Sequence, residues 1–312
     1  MTGTVDDRSL VAAEQPHEAW LRRQFGLSDH ASVEAASAYA DGIDGPALRI
    51  TPVHLHVGLD HLLLTDPGTL ELGIDEARQL AESVAPVFAE QGLVLQAAAP
   101  LRWYLHGGAL PGLVLRSWRM AAGRNIDVYS PQGEPARLWR KLVTEVQMSW
   151  HEHPVNLQRE ASGQAAINSL WLDGRMGEPQ RAPFALVATD DPAVLGLAQA
   201  SGSMRGSPAV VGLNELRTQI ARQPRAASAG TLVMLEFWRQ KPDHDGFAHA
   251  WQAFRAWIDA LLTGAGAAGG FDAVRLVLTG EARLVEVDWR RADRWRLWQR
   301  FDLNASLERP AS

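Results

Sequence analysis

The stretch HEHPVNLQREASGQAAINSLWL, His151 to Leu172, gathers side chains that could do chemistry. His151 and His153 offer imidazoles, Asn156 and Asn168 neutral amides, Arg159 a planar cation, and Trp171 an apolar wall with one N–H. A guanidinium beside neutral donors is the chemistry of anion recognition, because its forked N–H groups match carboxylate and phosphate oxygens. The same side chains can instead close a turn on themselves, with the amides on backbone groups and Arg159 meeting Glu160 or solvent. Pro154 ends the preceding helix, since the residue before a proline is pushed out of the α region. The expectation is a small-anion site built from His151, His153, Asn156, Arg159, Asn168 and Trp171.

Other candidates carry less. GAGAAGG, Gly264 to Gly270, matches G-x-G-x-x-G by letter but follows a helix and precedes a strand, the reverse of the dinucleotide arrangement. His54 and His56 share one strand face, with His61 nearby, but zinc wants three or four ligands and only Asp60 is at hand. His244, between Asp243 and Asp245, reads as part of a helix cap, or as a metal ligand at a strand edge. WRRADRWRLWQRF, Trp289 to Phe301, reads as Arg–Trp packing of a terminal helix rather than an anion or nucleic-acid surface. No G-x-S-x-G, Walker-type loop or H-E-x-x-H occurs.

The elements that must position these groups follow from hydrophobic period. Residues 1–16 read as a loose tail, 17–106 as a small α+β unit, 107–135 as a Gly- and Pro-rich linker, and 136–312 as an α/β domain. A helix near 75–91 carries Ala77, Leu80, Val84, Val87 and Phe88 on one face; another, near 135–151, carries Trp139, Leu142, Val146 and Trp150. NSLWL and PFALVAT read as strands, and Asp191 caps a helix that has Pro192 at its first position. GTLVMLEF reads as a central buried strand, followed by a helix at 245–263 with Phe247, Trp251, Phe254 and Ile258 inward. AVRLVLT and RLVEVDW form strands around a Gly-Glu turn. Alternating strands and helices predict a mainly parallel, doubly wound α/β sheet.

Composition sets the outer bounds. The 312 residues allow a sizeable core, and 46% hydrophobic with 21% charged residues is ordinary for a globular chain. A net charge of −6 gives no support to nucleic-acid binding. With no cysteine there is no disulfide, thiolate metal site or Cys nucleophile. No apolar run approaches the ~20 residues of a membrane helix, and the acidic start MTGTVDDRSL lacks the apolar core of a secretory signal. The expectation is a cytoplasmic protein with no membrane partner.

HPVNLQRE…INSLWLDG resembles the HPVN-x-x-R…N-S-L-W-L-x-G signature of bacterial RpfE-type regulatory proteins. PVHLHVGLDHLLLTD, LRWYLH, GRNID and LVTEVQMSWHEHPVN fit that family too, so the resemblance covers roughly residues 45–175. The same segment resembles the archaeal cofactor-independent phosphoglycerate mutases. That resemblance implies an alkaline-phosphatase-like α/β fold, a phosphorylated three-carbon acid as ligand, two divalent metals held by Asp and His, and a nucleophile near the first strand. This chain departs from the pattern. Its start has no Asp-Gly pair, KPDHDGFAHAW places Trp251 where the family has Lys, and LTGEA offers Glu281 alone. Two-metal phosphoryl transfer needs a nearly complete ligand set to clamp both oxygens. Asp243, His244 and Glu281 are the remaining metal candidates, and no metal or cofactor is expected. The chain thus reads as a degenerate mutase-like protein, regulatory or anion-binding. The rivals are an active metal-dependent phosphomutase or phosphatase, and a protein–protein interaction module of unknown partner.

Overall fold

The computed structural model describes residues 3–7, 14–58, 61–107, 110–206, 230–234, 273–280 and 282–290, with positions 218, 252 and 256. In chain order these form β1 (Gly3–Asp7), α1 (Pro16–Phe25), α2 (Ser37–Ala40), β2 (Leu48–Val53), β3 (Leu55–Val57), β4 (Leu62–Leu64), α3 (Ile74–Ala89), β5 (Val94–Ala99), β6 (Arg102–His106) and α4 (Trp118–Ala121). There follow α5 (Ala136–His151), α6 (Pro154–Ala161), β7 (Ser169–Arg175), β8 (Leu186–Ala188), α7 (Pro192–Ala200), β9 (Met204–Gly206), β10 (Thr231–Val233), β11 (Ala273–Thr279) and β12 (Arg283–Arg290). The fold is mixed α/β. Its contacts divide it into one compact unit of Leu10–Ala182 with Asp191–Gly202, and a second of Met1–Ser9, Pro183–Asp190 and Ser203–Ser312.

The first unit is organised by a four-stranded sheet in the order β5-β6-β2-β7, every pairing antiparallel. One face carries Leu48, Ile50, Trp103, Leu105, Leu170 and Leu172, covered by the apolar stripes of α3 and α5. Those stripes largely follow the period: Ala77, Leu80, Val84 and Phe88 on α3 are buried and Val87 partly so, and Trp139, Leu142, Val146 and Trp150 on α5 are all buried. Trp150 meets Trp103 edge to face at 5.9 Å, and its indole N–H donates to Leu80 O. The other face carries Val53 and Trp171, packed with Met120, Ala121, Ile126 and Tyr129.

That second face corrects the expected linker at 107–135. Its Gly and Pro break the helical period, but α4 and the turn after it bury apolar side chains in the core. Within the expected tail, Gly3–Asp7 pairs antiparallel with β12. The strand NSLWL does not open a parallel domain: β7 lies antiparallel to β2. Its unbroken burial misled the reading. A strand covered on both sides reads as continuously apolar, a pattern usual for parallel sheets, and here helices cover both faces of an antiparallel one. Pro52 sits in β2 beyond the last β6 pairing at Ile50, where no ladder bond is asked of its nitrogen.

Parallel pairing occurs in the second unit, in the order β10-β8-β9. The GTLVMLEF strand is β10, parallel to β8 as expected but at the end of this order among the described residues. A separate antiparallel sheet runs β1-β12-β11, with β11 and β12 forming the expected hairpin. The expected 245–263 helix and its inward Phe247, Trp251, Phe254 and Ile258 lie outside the described residues, as does Gly264 to Gly270. No described helix is long and apolar enough to cross a membrane.

Helix α7 starts as predicted: Asp191 accepts from Ala193 N at 2.8 Å, and Pro192 takes the first position. It docks through Gly196, where an added Cβ would lie 1.8 Å from Ala36 O. Gly→Ala inside a helix normally gains about 1 kcal/mol. Here Gly196→Ala is expected to destabilise by ~1–3 kcal/mol, because the helix must lift off its seat. Urea denaturation at one pH reads the sign directly.

Candidate functional site

The His151–Leu172 stretch folds as helix, turn, helix, strand. His151 ends α5 and is exposed. His153 caps α6 through its Nδ1, which accepts from Val155 N at 3.2 Å; partial burial moves its pKa down. Asn156 is buried, with its amide donating to Trp150 O and Ile167 O at 2.8 Å and its oxygen accepting from Ile167 N at 2.8 Å. Asn168 treats Leu55 as a strand neighbour, accepting from its N at 2.7 Å and donating to its O at 2.9 Å. Arg159 is 1% exposed; its guanidinium donates to Ala165 O, to Leu70 O, and to the Glu76 carboxylate at 3.1 Å. Glu76 in turn caps α3 by accepting from Gly73 N at 2.8 Å. The donors of Asn156, Arg159 and Asn168 thus hold the 161–168 loop to α3, α5 and the β2–β3 junction. His54 adds a bond from Nδ1 to Ala166 O at 2.7 Å.

Trp171 does not join them. It faces the opposite side of the sheet from its neighbours Leu170 and Leu172, and its indole donates to Arg116 O at 2.9 Å. The structure therefore brings Asn156 and Arg159 together around one loop and sets Trp171 on another surface. The metal candidates Asp243, His244 and Glu281 lie outside the described residues. Among the described residues no group of three or more His, Asp or Glu is placed to hold a metal ion.

A second constellation escaped the sequence reading. Glu34 lies between two guanidiniums, with Arg49 at 2.6 Å and Arg119 at 2.5 Å. Arg119 also reaches Asp191 at 3.5 Å and Glu18 at 3.8 Å. Asp173 accepts from the Thr51 hydroxyl and from Trp118 N. Glu18 accepts from the Ser117 hydroxyl at 2.8 Å and from Gln15 N. Two arginines thus face four buried carboxyls. Burial opposes charge on Glu18, Glu34, Asp173 and both arginines. For Glu34 the two guanidiniums overcome it and hold the carboxyl well below the usual range. For Glu18, burial and the negative Glu34 win, and its pKa is pushed up to about 8. Burial likewise raises Asp173 to about 7. The signal for this network was present: Arg49 and Asp173 are charged residues inside otherwise buried strands.

Perturbed carboxyls mark candidate active sites, but Glu18, Glu34 and Asp173 are each at most 4% exposed. Their oxygens meet protein donors rather than an open cleft. What they grip is one short segment. Trp171 holds Arg116 O, Glu18 holds Ser117, Asp173 holds Trp118 N, Glu34 holds the Arg119 side chain, and Gln15 donates to Arg119 O. Arg116 itself is half-buried, and its Nε and Nη1 are buried without a hydrogen-bond partner.

No family model matches the chain, and no curated protein matches it. Among solved structures it is similar to the cofactor-independent phosphoglycerate mutase from Thermoplasma acidophilum DSM 1728, at 14% identity and a TM-score of 0.39, covering 92% of this chain and 79% of that one. It is also similar to the PH0037 protein from Pyrococcus horikoshii, at 12% identity and a TM-score of 0.45, covering 92% and 77%. Both likenesses are distant.

Two expectations follow from this geometry. Arg159→Met should destabilise by about 3 kcal/mol, at the lower end for a broken buried pair because Glu76 can rehydrate, while His151→Ala stays within ~0.5 kcal/mol; chemical denaturation compares them. The second concerns pH. Glu18 and Asp173 keep protons in the folded chain that the unfolded chain, near its ordinary values of 4.5 and 3.8, releases. The native state then binds more protons, so stability falls as pH rises toward 7 to 8. Denaturation midpoints should drop between pH 5.5 and 8.5, and Glu18→Gln with Asp173→Asn should flatten that drop.

Proposed function

We propose that this chain is a phosphoglycerate mutase-like protein that works by binding a small phosphorylated acid, in the manner of a regulatory protein, rather than by turning one over. The proposal includes a degenerate alkaline-phosphatase-like architecture. Its sequence support is the resemblance over roughly residues 45–175 and the incomplete ligand pattern around Asp243, His244 and Glu281.

The observation that carries it is the commitment of the signature donors. Asn156, Arg159 and Asn168 are the residues that the resemblance places nearest a ligand, and their N–H groups already bond main-chain carbonyls and Glu76. Such groups can meet a new oxyanion only by breaking those bonds. The sequence resemblance to the mutases lies in roughly residues 45–175, while the metal-ligand pattern is the part from which the sequence departs.

The test crosses phosphorylated three-carbon acids with Mn, Zn and Mg in a thermal-shift panel, beside an assay for interconversion of 2- and 3-phosphoglycerate. Stabilisation by the acid without metal, and no turnover in any mixture, is the expected result. A ligand at 100 times its dissociation constant contributes about 2.7 kcal/mol, enough to read. Metal-dependent turnover would establish the phosphomutase instead.

A further inference from the structure

Among the described residues, four buried side-chain nitrogens lack a hydrogen-bond partner: Arg49 Nε, His106 Nε2, and Arg116 Nε and Nη1. They are not equivalent. Arg49 is otherwise ion-paired to Glu34 at 2.6 Å, so its charge is compensated. His106 presents a single unmet ring nitrogen. Arg116 presents two on one guanidinium, and no carboxylate among the described residues pairs with it. A half-buried charge with covered, unmet donors is costly for a fold to keep. Two unmet donors on that charge make a satisfied resting state harder still.

The segment around it is held with unusual thoroughness. Arg116 O is bonded by the Trp171 indole, and Ser117, Trp118 and Arg119 are each fixed by a buried carboxyl. Main-chain fixation on both sides limits how far the guanidinium can swing out to water. Arg116 is half-buried as a residue: part of the side chain meets solvent while its Nε and Nη1 are covered.

We propose that Arg116 is the centre of an oxyanion site, taking the phosphate or carboxylate group of a small acid, with the Trp171-held segment as its rigid support. This rests on the binding function proposed above and gives it a residue that the sequence signature does not contain. Water could fill the two donors but would leave the charge uncompensated. An anion does both. Nε and Nη1 lie on different edges of the guanidinium plane, so an oxyanion seated at either edge finds an unmet donor there.

The experiment uses the full chain, with inorganic phosphate, acetate and 3-phosphoglycerate as probes, each against chloride at equal ionic strength. Calorimetry gives affinity, and thermal denaturation gives the ligand-free stability. In wild type, phosphate or 3-phosphoglycerate should bind and chloride should not substitute; preference between the phosphate and acetate arms identifies the group recognised. Arg116→Met should weaken binding roughly 10- to 150-fold, the loss expected for a charge-assisted contact. Arg116→Lys should recover part of it, having charge without the planar donors. Without ligand, Arg116→Met should be as stable as wild type or more so, because an unpaired charge has been removed. A merely structural Arg116 would show the reverse, lower stability with unchanged affinity, and that would overturn the proposal. Equal anion affinity in all three proteins would move the site elsewhere while leaving the binding function standing. Absence of binding by wild type to every probe would remove both.

Discussion

The bridge Arg49–Glu34–Arg119 is the constraint on which the first unit depends. One carboxylate with two guanidiniums ties β2, the turn ahead of α2, and α4. None of these charges reaches solvent freely, so none can be satisfied by an approximate fold. An apolar core tolerates small slips among its members, whereas a buried ion that loses its partner is left uncompensated. The register of β2 beside β7 also sets Thr51 and Asp173 together, and Asp173 reaches on to Trp118 N. The network therefore selects one docking of α4 on the sheet among many that would bury similar apolar area. Such selection is a benefit that buried polar groups can confer even where they add little net stability.

The His151–Leu172 stretch works by a related logic with neutral groups. Asn168 places its amide where a further residue of β7 would place a peptide, and Asn156 bridges the end of α5 to the strand that follows. A loop that must fold back against the core cannot satisfy its own main chain by helix or ladder, so side chains do it. Anion recognition and loop closure call on the same residue types, because both need planar donors at fixed angles. That shared demand is why the sequence alone left both uses open.

The local features were legible. The stripes on α3 and α5 follow the helical period, and Asp191-Pro192 begins α7 for reasons visible in two letters. The hairpin of β11 and β12 could be read from its turn. What failed was whatever depends on partners far along the chain. The direction of β7 is set by β2, and unbroken burial concealed it. Glu18 is held by Ser117, 99 residues away, so neither residue alone signals the network. At 107–135, broken periodicity resembled a linker because a segment anchored by single apolar residues and capped turns has no period to show. Within the stretch first suspected, the hydrogen bonds of Asn156, Arg159 and Asn168 run to main chain in the loop and core and to the Glu76 carboxylate.

The division of the chain between its two units has a consequence for its manufacture. Gly3 to Asp7 pairs with a strand whose residues begin at Arg283, so β1 emerges long before the neighbour it pairs with. Pro183–Asp190 belongs with the later unit, yet Asp191–Gly202 returns to the earlier one. A ribosome delivering residues in order completes neither unit until it has begun the other. An expression fragment stopping at Ala182 would lack α7 and leave its seat on Ala36 bare, and one starting at Ser203 would lack both β1 and β8. The two units are separable in contacts but interleaved in the gene, so no single cut yields both whole.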